Sequence, residues 1–551
     1  MADTSRFHCF ISHSNTLAPA ASTALEPLAG HSTGYSFAHS HRQDAHLVGR
    51  RVRRTRQRHR MSESRDAGQQ RHLDQATQPP EKLPSSLDWD IDGTLIEKCM
   101  FHHVRRVTIP GFQNLALMTK LWNNYIIPLG YYSHSVKHAL VGLGLSHRAF
   151  LDGYSHASKV TEDQDFASLA MSYYGKALRS TLADREKNLS TTSIRISLVS
   201  CLVFVCFEVI EGRYDKAIQH LRGGCRILGS IREAVESLEM NGAEALSPSQ
   251  LCLAETARKY FDQLSDIAVM FSCIGIDTAY LLEAEITPDL DFFLRPPAVP
   301  EASGHDPFKT LDEARLEIHR VEKALGSIIG FNFRQAPPRS WASVLDLPGD
   351  MSPFEDEIFD AWMKARHHLD TWSSRIDMSI EIWQSDPSFS PEALKEAQIL
   401  TFIQNDWKMI IKQCETSTIE TIAPAIWRSM LDRAEAFCPS GEGSSQQLPH
   451  FAIAADTIPP LVVVATFSRD PEVQSRAISL LYSMKRREGM WDSREIASIL
   501  ESINAVRESD LWDKEYETAS LPTLAEKVLS RHLCRRDEQM PLATLMKQGF
   551  A

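Results

Sequence analysis

Seven arginines, Arg50, Arg51, Arg53, Arg54, Arg56, Arg58 and Arg60, fall within eleven positions of "GRRVRRTRQRHR". In a helix Arg50, Arg54 and Arg58 would stack one turn apart and repel one another, with Val52 the only apolar side chain nearby. The stretch cannot fold alone and suits an anionic partner. It is a candidate nuclear-import signal, which needs only an exposed basic cluster. It is also a candidate phosphate contact, which would supply charge but no base readout. A third reading is a basic leader with no role. His134 and His138 stand four apart in "HSVKHAL", so one helical face could present both to a metal. No third Cys, His or carboxylate sits beside them at ligand spacing, and His147 lies nine residues further on, so no metal is expected.

"DIDGTL", Asp90 to Leu95, resembles the first motif of haloacid-dehalogenase-type phosphatases. In that family the first Asp attacks phosphorus, the second is the acid/base, and a buried apolar strand aims both at one Mg²⁺. Here the motif follows "KLPSSLDW", which is no such strand, and "GDMSPFED" at Gly349 has the wrong spacing for the later acidic motif. The expectation is an Asp-rich loop before the first helix, with a phosphatase using Asp90 and Asp92 kept as a remote alternative. There is no CxxC, no "GxxxxGK[ST]", no "GxGxxG" and no "GxSxG". No catalytic residue, metal or cofactor is expected, and the chain is read as a non-enzyme.

The elements that would position such groups are helical. Residues 1–85 are rich in Ser, His, Arg, Gln and Ala, close with the prolines of "TQPPEKLPSS", and read as a disordered basic leader. Charge divides along the chain: residues 1–80 carry +5 and the remaining 471 carry −17. Any affinity for nucleic acid would therefore come from the basic head. From about Leu95 apolar residues recur at helical spacing, as in "SVKHALVGLGLSHRAFL" and "LSDIAVMFSCIGIDTAYLL", and strand alternation is nowhere sustained. The fold expected is all-α, an irregular bundle of antiparallel helical pairs forming one large domain over residues 86–535, followed by a tail, 536–551.

The longest apolar run, Leu198–Ile210, holds thirteen residues with Glu208 among them. That is too short for a bilayer core, which takes about twenty, so a buried helix is expected. Ten scattered cysteines, several inside apolar runs, suggest a reducing compartment rather than a disulfide framework. "YGKAL" at Tyr174 recurs as "YDKAI" at Tyr214, each fit for the second helix of a hairpin, but two copies forty residues apart do not make a tetratricopeptide array. Near the C-terminus one helix should end around Lys485–Arg487 and turn at Gly489. Asp492 should then cap the next helix, with Glu495 completing a capping box and Trp491 and Ile496 forming a hydrophobic staple.

Four stretches in order carry a second resemblance: "YYSHSVKHALVGLGLSHRAF", "LVSCLVFVCFEVIEGRYDKAIQHLRGGCRIL", "FDQLSDIAVMF" and "RREGMWDSREIA". Together they resemble the regulatory domain of fungal six-cysteine zinc-cluster transcription factors, over roughly residues 95–530. The resemblance implies an all-helical domain in a nuclear regulator of RNA polymerase II genes, often of metabolic or secondary-metabolite clusters. The zinc cluster itself is missing from this sequence, since only Cys9 and Cys99 precede Leu198, so no zinc is carried over. The implied regulator works through protein partners, by dimerising with a cluster-bearing zinc-cluster transcription factor or by engaging a co-regulator, and its DNA contact is indirect or non-specific. No membrane contact is expected. The alternative is a cytoplasmic, tetratricopeptide-like helical scaffold.

Overall fold

The structure, a computed structural model, describes residues 91–112, 120–153, 165–187, 189–282, 290–294, 306–335, 353–416, 424–437, 450–453, 455–468 and 470–507, with a few isolated positions beyond. The leader, Arg50–Arg60, Asp90 and the loops expected around residues 295–305, 336–352 and 438–449 lie outside them.

The described residues are overwhelmingly helical, as the periodicity requires. Helix α1 (Leu95–His103) starts directly after "DIDGT" and runs through a π-helical turn, Val104–Thr108, into Ile109–Gly111. Its start is a full capping box: Glu97 N–H donates to Thr94 Oγ1 (3.4 Å) and Thr94 N–H donates to Glu97 Oε2 (2.7 Å). A second π turn, Trp122–Ile126, leads into α2 (Ile127–Tyr132), then α3 (His134–Gly153), α4 (Phe166–Lys187), α5 (Thr191–Ile210), α6 (Tyr214–Asn241) and α7 (Pro248–Leu282). Contacts run α3 to α4, α5 to α6, α6 to α7 and α3 to α5, a bundle of helical neighbours.

The apolar run in the sequence is the C-terminal part of α5, which begins seven residues earlier at Thr191. At this full length α5, like α7, is long and apolar enough to cross a membrane, a correction to the thirteen residues counted above. Most of each is nevertheless buried inside the protein, as in a core helix, and Glu208 is 1% exposed. The echoed segments both fall on second helices of neighbouring pairs, but "YGKAL" lies within α4 and "YDKAI" opens α6, so the units are unequal.

Helices α8 (Leu311–Gln335), α9 (Pro353–Ser385) and α10 (Pro391–Thr416) follow. Then come α11 (Pro424–Phe437), α12 (Ile458–Phe467), α13 (Pro471–Met484) and α14 (Ser493–Arg507). Among the described residues strands appear only as clips: β1 (His450–Ala452) pairs in parallel with β2 (Arg486–Glu488), which pairs antiparallel with β3 (Trp491–Asp492). Two hydrophobic cores result. The larger joins α1–α7 to α11–α14, and the smaller, built round Trp362, Trp372, Trp383 and Trp407, belongs to α8–α10.

Candidate functional site

Of the residues singled out for chemistry, the arginines and Asp90 fall outside the described residues. Asp92 sits exposed in a bend before α1, with its carbonyl accepting from Lys137 Nζ (2.9 Å). It leads into the capped helix α1. His134 and His138 do share a face of α3, ring centroids 6.2 Å apart. His138 lies 3.9 Å from the Glu97 carboxylate, and burial followed by the charge of Lys137 holds it below the ordinary histidine range. Among the described residues no set of three or more His, Cys, Asp or Glu side chains has metal-binding geometry.

A different histidine pair is brought together by the fold. His147 Nδ1 lies 3.0 Å from Thr108 Oγ1 and 3.3 Å from His103 Nε2, across 44 residues of chain. Burial lowers His147 to about 3, so it is neutral. No local sequence signal marks this pair, because the π turn that sets Thr108 against α3 is a tertiary outcome.

Three of the four stretches that carried the family resemblance meet at Arg487, and the helix of the other, α7, is reached through Asp277. Helix α5 ends in a Schellman motif: Arg213 N–H donates to Glu208 O (2.8 Å) and Gly212 N–H to Val209 O (3.0 Å), with Gly212 at φ 70°. The last carbonyls of α5 are then taken by Arg487, whose Nη1 donates to Val209 O (3.0 Å) and Ile210 O (2.7 Å). A cation at a helix C-terminus is favoured by the dipole as well as by the orphan carbonyls. The same guanidinium grips Asp492 through Nε (2.9 Å) and Nη2 (2.6 Å), and lies over the rings of Phe150 of α3 (5.5 Å) and Tyr214 of α6 (6.0 Å). Trp491 Nε1 donates to the carbonyl of Asp277 on α7 (3.1 Å).

The turn that carries Arg487 was foreseen in part. Helix α13 ends at Met484, Lys485 is left-handed at φ 47°, and Gly489 turns at φ 52° where a Cβ would stand 3.0 Å from Ile453 O. Asp492 Oδ1 accepts from Arg494 N–H and Glu495 N–H, both 3.0 Å. The capping box is only half made, however: Glu495 Oε2 accepts from Leu542 N–H (2.8 Å) and does not return to the cap.

Where α6 crosses α7 the fit is by shape. A Cβ on Gly224 would stand 2.4 Å from the Phe271 ring, so only glycine allows this approach. Arg195 of α5 is sandwiched between Tyr260 (3.9 Å) and Tyr125 (4.9 Å), and α7 is kinked at Tyr260 (φ −131°, ψ 27°).

Behind this lies a polar seam between the two cores, which sequence reasoning missed. Arg315 on α8 donates through Nε to Glu396 of α10 (2.9 Å) and through Nη1 to Asp456 before α12 (3.3 Å). His319, one turn on, meets Ser272 of α7 (3.1 Å). Glu322 accepts from Trp407 Nε1 (3.2 Å), and Asp277 accepts from Ala455 N–H (2.9 Å). Desolvation pushes Glu322 up to about 7 and Asp277 well above the carboxylate range. Charged residues scattered on four segments give no periodic pattern, so only the fold reveals that they meet.

A family model described as "Fungal specific transcription factor domain" matches residues 100–263, from within α1 to just past the kink of α7. The aspercryptin biosynthesis cluster-specific transcription regulator of Emericella nidulans is 22% identical over 431 residues. That alignment covers 65% of this chain and 65% of the relative, so the chain spans a little under two thirds of that protein. No solved structure matches the chain. The part of the helical bundle that this family model matches, residues 100–263, is thus similar to the fungal specific transcription factor domain.

Proposed function

We propose that this protein is a nuclear transcriptional regulator of RNA polymerase II genes, those of a secondary-metabolite cluster among them. In this reading it acts without catalysis, through its helical domain and protein partners. The observation that carries the proposal is the family match over residues 100–263, together with the weak relative whose own name makes it a pathway-specific regulator. Neither stretch of the sequence matched there contains a CxxC pair, so sequence-specific DNA contact is assigned to a partner, such as a zinc-cluster factor. The arginines Arg50, Arg51, Arg53, Arg54, Arg56, Arg58 and Arg60 are assigned to nuclear import, or to non-specific phosphate contact.

The test is deletion of the gene with transcript profiling, alongside imaging of the tagged full chain and of a variant with these arginines changed to glutamine. A cluster of co-regulated transcripts that shifts on deletion, and nuclear signal lost in the variant, is the expected outcome. Cytoplasmic wild-type protein and an unchanged transcriptome would favour the tetratricopeptide-like scaffold and defeat the proposal.

A further inference from the structure

One end of the α6–α7 hairpin carries large apolar side chains that neither core takes up. Met240, in the last turn of α6, is 75% exposed, and Leu251, in the first turn of α7, is 37% exposed. Leu189 is 44% exposed and stands beside that first turn, its carbonyl 3.7 Å from Cys252 Sγ. Leu238 and Leu246 are half-covered and join neither core. A single exposed leucine is ordinary, but several at one end of one hairpin mark a contact surface.

The end is held in place, so the exposure is not relieved by collapse. Gly242 turns the chain at φ 74° with its N–H on Leu238 O (3.0 Å), and one 3₁₀ turn, Ala243–Ala245, leads on to Ser247. Ser247 N–H donates to Gln250 Oε1 (3.0 Å) and Gln250 N–H donates back to Ser247 Oγ (3.3 Å), a closed cap on α7. From Glu239 to Gln250 every residue but Leu246 is exposed, and a Cβ at Gly242 would meet nothing within 4 Å.

Charge on this surface is of one sign. Residues 233–255 hold Glu233, Glu236, Glu239, Glu244 and Glu255, and no Lys, Arg or His. Arg232 reaches Glu236 (3.7 Å) and Arg258 holds Glu255 (2.7 Å), but no cation among the described residues pairs with Glu233, Glu239 or Glu244. Such carboxylates repel nucleic acid and anionic lipid. Apolar side chains flanked by unanswered carboxylates are complementary to an apolar stripe flanked by cations, the pattern of a cationic amphipathic helix. The unbranched side chain of Met240 can adapt to such a stripe.

We propose that this end of the α6–α7 hairpin is a docking surface for a cationic amphipathic helix of a partner protein. Leu189, Met240 and Leu251 take its apolar stripe, and Glu233, Glu239 and Glu244 take the Lys and Arg beside the stripe. The surface lies within the family-matched residues, 100–263. Docking is measured without transcription, so this inference and the regulatory reading fail separately.

The experiment titrates the full chain into a fluorescent synthetic peptide of Lys and Leu whose leucines fall at helical spacing. Controls are the same residues shuffled, and the ordered peptide with Glu in place of Lys. The ordered Lys peptide should bind at least about tenfold more tightly than the shuffled one, and the Glu peptide not at all. Met240→Ser with Leu251→Ser should weaken binding about tenfold. Glu233→Gln with Glu239→Gln and Glu244→Gln should weaken it and flatten its dependence on salt. All five positions are exposed, so both variants should keep the wild-type melting temperature. Hydrogen exchange on the wild-type chain should show the peptide protecting residues 238–252. Equal affinity for the ordered and shuffled peptides would show charge attraction without a docking surface, and the proposal is then wrong. No binding, protection elsewhere, or full affinity in both variants overturns it equally.

Discussion

Helices α1–α7 and helices α8–α10 are stabilised by different means. In the first region apolar side chains interlock closely enough that Gly224 admits no Cβ beside Phe271, and buried Glu208 is paired with Arg213 (2.6 Å). In the second a smaller tryptophan-centred core is joined to the first across enclosed carboxylates, of which Asp277 and Glu322 have no cation of their own. Asp406 of α10 goes further: both carboxylate oxygens are buried without a partner among the described residues, and desolvation pushes it up to about 8. The first region is thus held mainly by shape, and the second meets it across carboxyls that burial pushes towards their protonated form. The family match lies wholly in the first.

Breaking the first region at its centre should have the largest effect. Arg487→Leu leaves Asp492 unpaired and the Val209 and Ile210 carbonyls without their donor, at a cost of about 3–5 kcal/mol by denaturant titration. Arg487→Lys should recover only part, because an ammonium cannot span Asp492 and α5 together. Next, Gly224→Ala should cost about 1–3 kcal/mol by forcing α6 off α7. An unchanged stability would show that the close approach is not a constraint.

The two regions should also part company with pH. Glu322 and Asp406 have folded-state pKa values raised to about 7 and about 8. Each binds its proton more tightly when folded, so the stabilisation is full below the unfolded carboxylate values near 4 and is lost as pH rises towards 7–8. His147, lowered from 6.5 to about 3, is neutral when folded, so folding weakens as pH falls from 6.5 towards 3. Hydrogen-exchange protection, taken relative to the intrinsic amide rate at each pH, should accordingly fall in α8–α10 on going from pH 5.5 to 8, and around α3 on going from 6.5 to 5. Exchange that changes uniformly across both regions would erase the distinction. The smallest effect should come from the cap of α1: Thr94→Ala removes one side of the capping box and costs about 1 kcal/mol, measured by thermal melting.

The helices were legible because each carries its own periodicity, and so was the turn at Gly489, which stands at positive φ. The "RREGMWDSREIA" stretch announced a helix stop and a cap, but not that Arg487 reaches 277 residues back to Ile210. Long-range polar contacts leave no local trace. For the same reason His134 and His138 drew notice by spacing alone, whereas His103 with His147, and the seam from Asp277 to Asp456, formed only once α1, α3, α7 and α8 had packed. Glu495 was assigned to its own helix start and instead serves Leu542, a partner that sequence spacing could not suggest.

The most direct test of the regulatory reading is to tether the full chain to a bacterial DNA-binding domain upstream of a reporter in a fungal cell. The account predicts that the fusion changes reporter transcription, and that Arg487→Leu, by freeing the end of α5 from the turn after α13, abolishes the change. A fusion that enters the nucleus, occupies the site and leaves transcription untouched would contradict it.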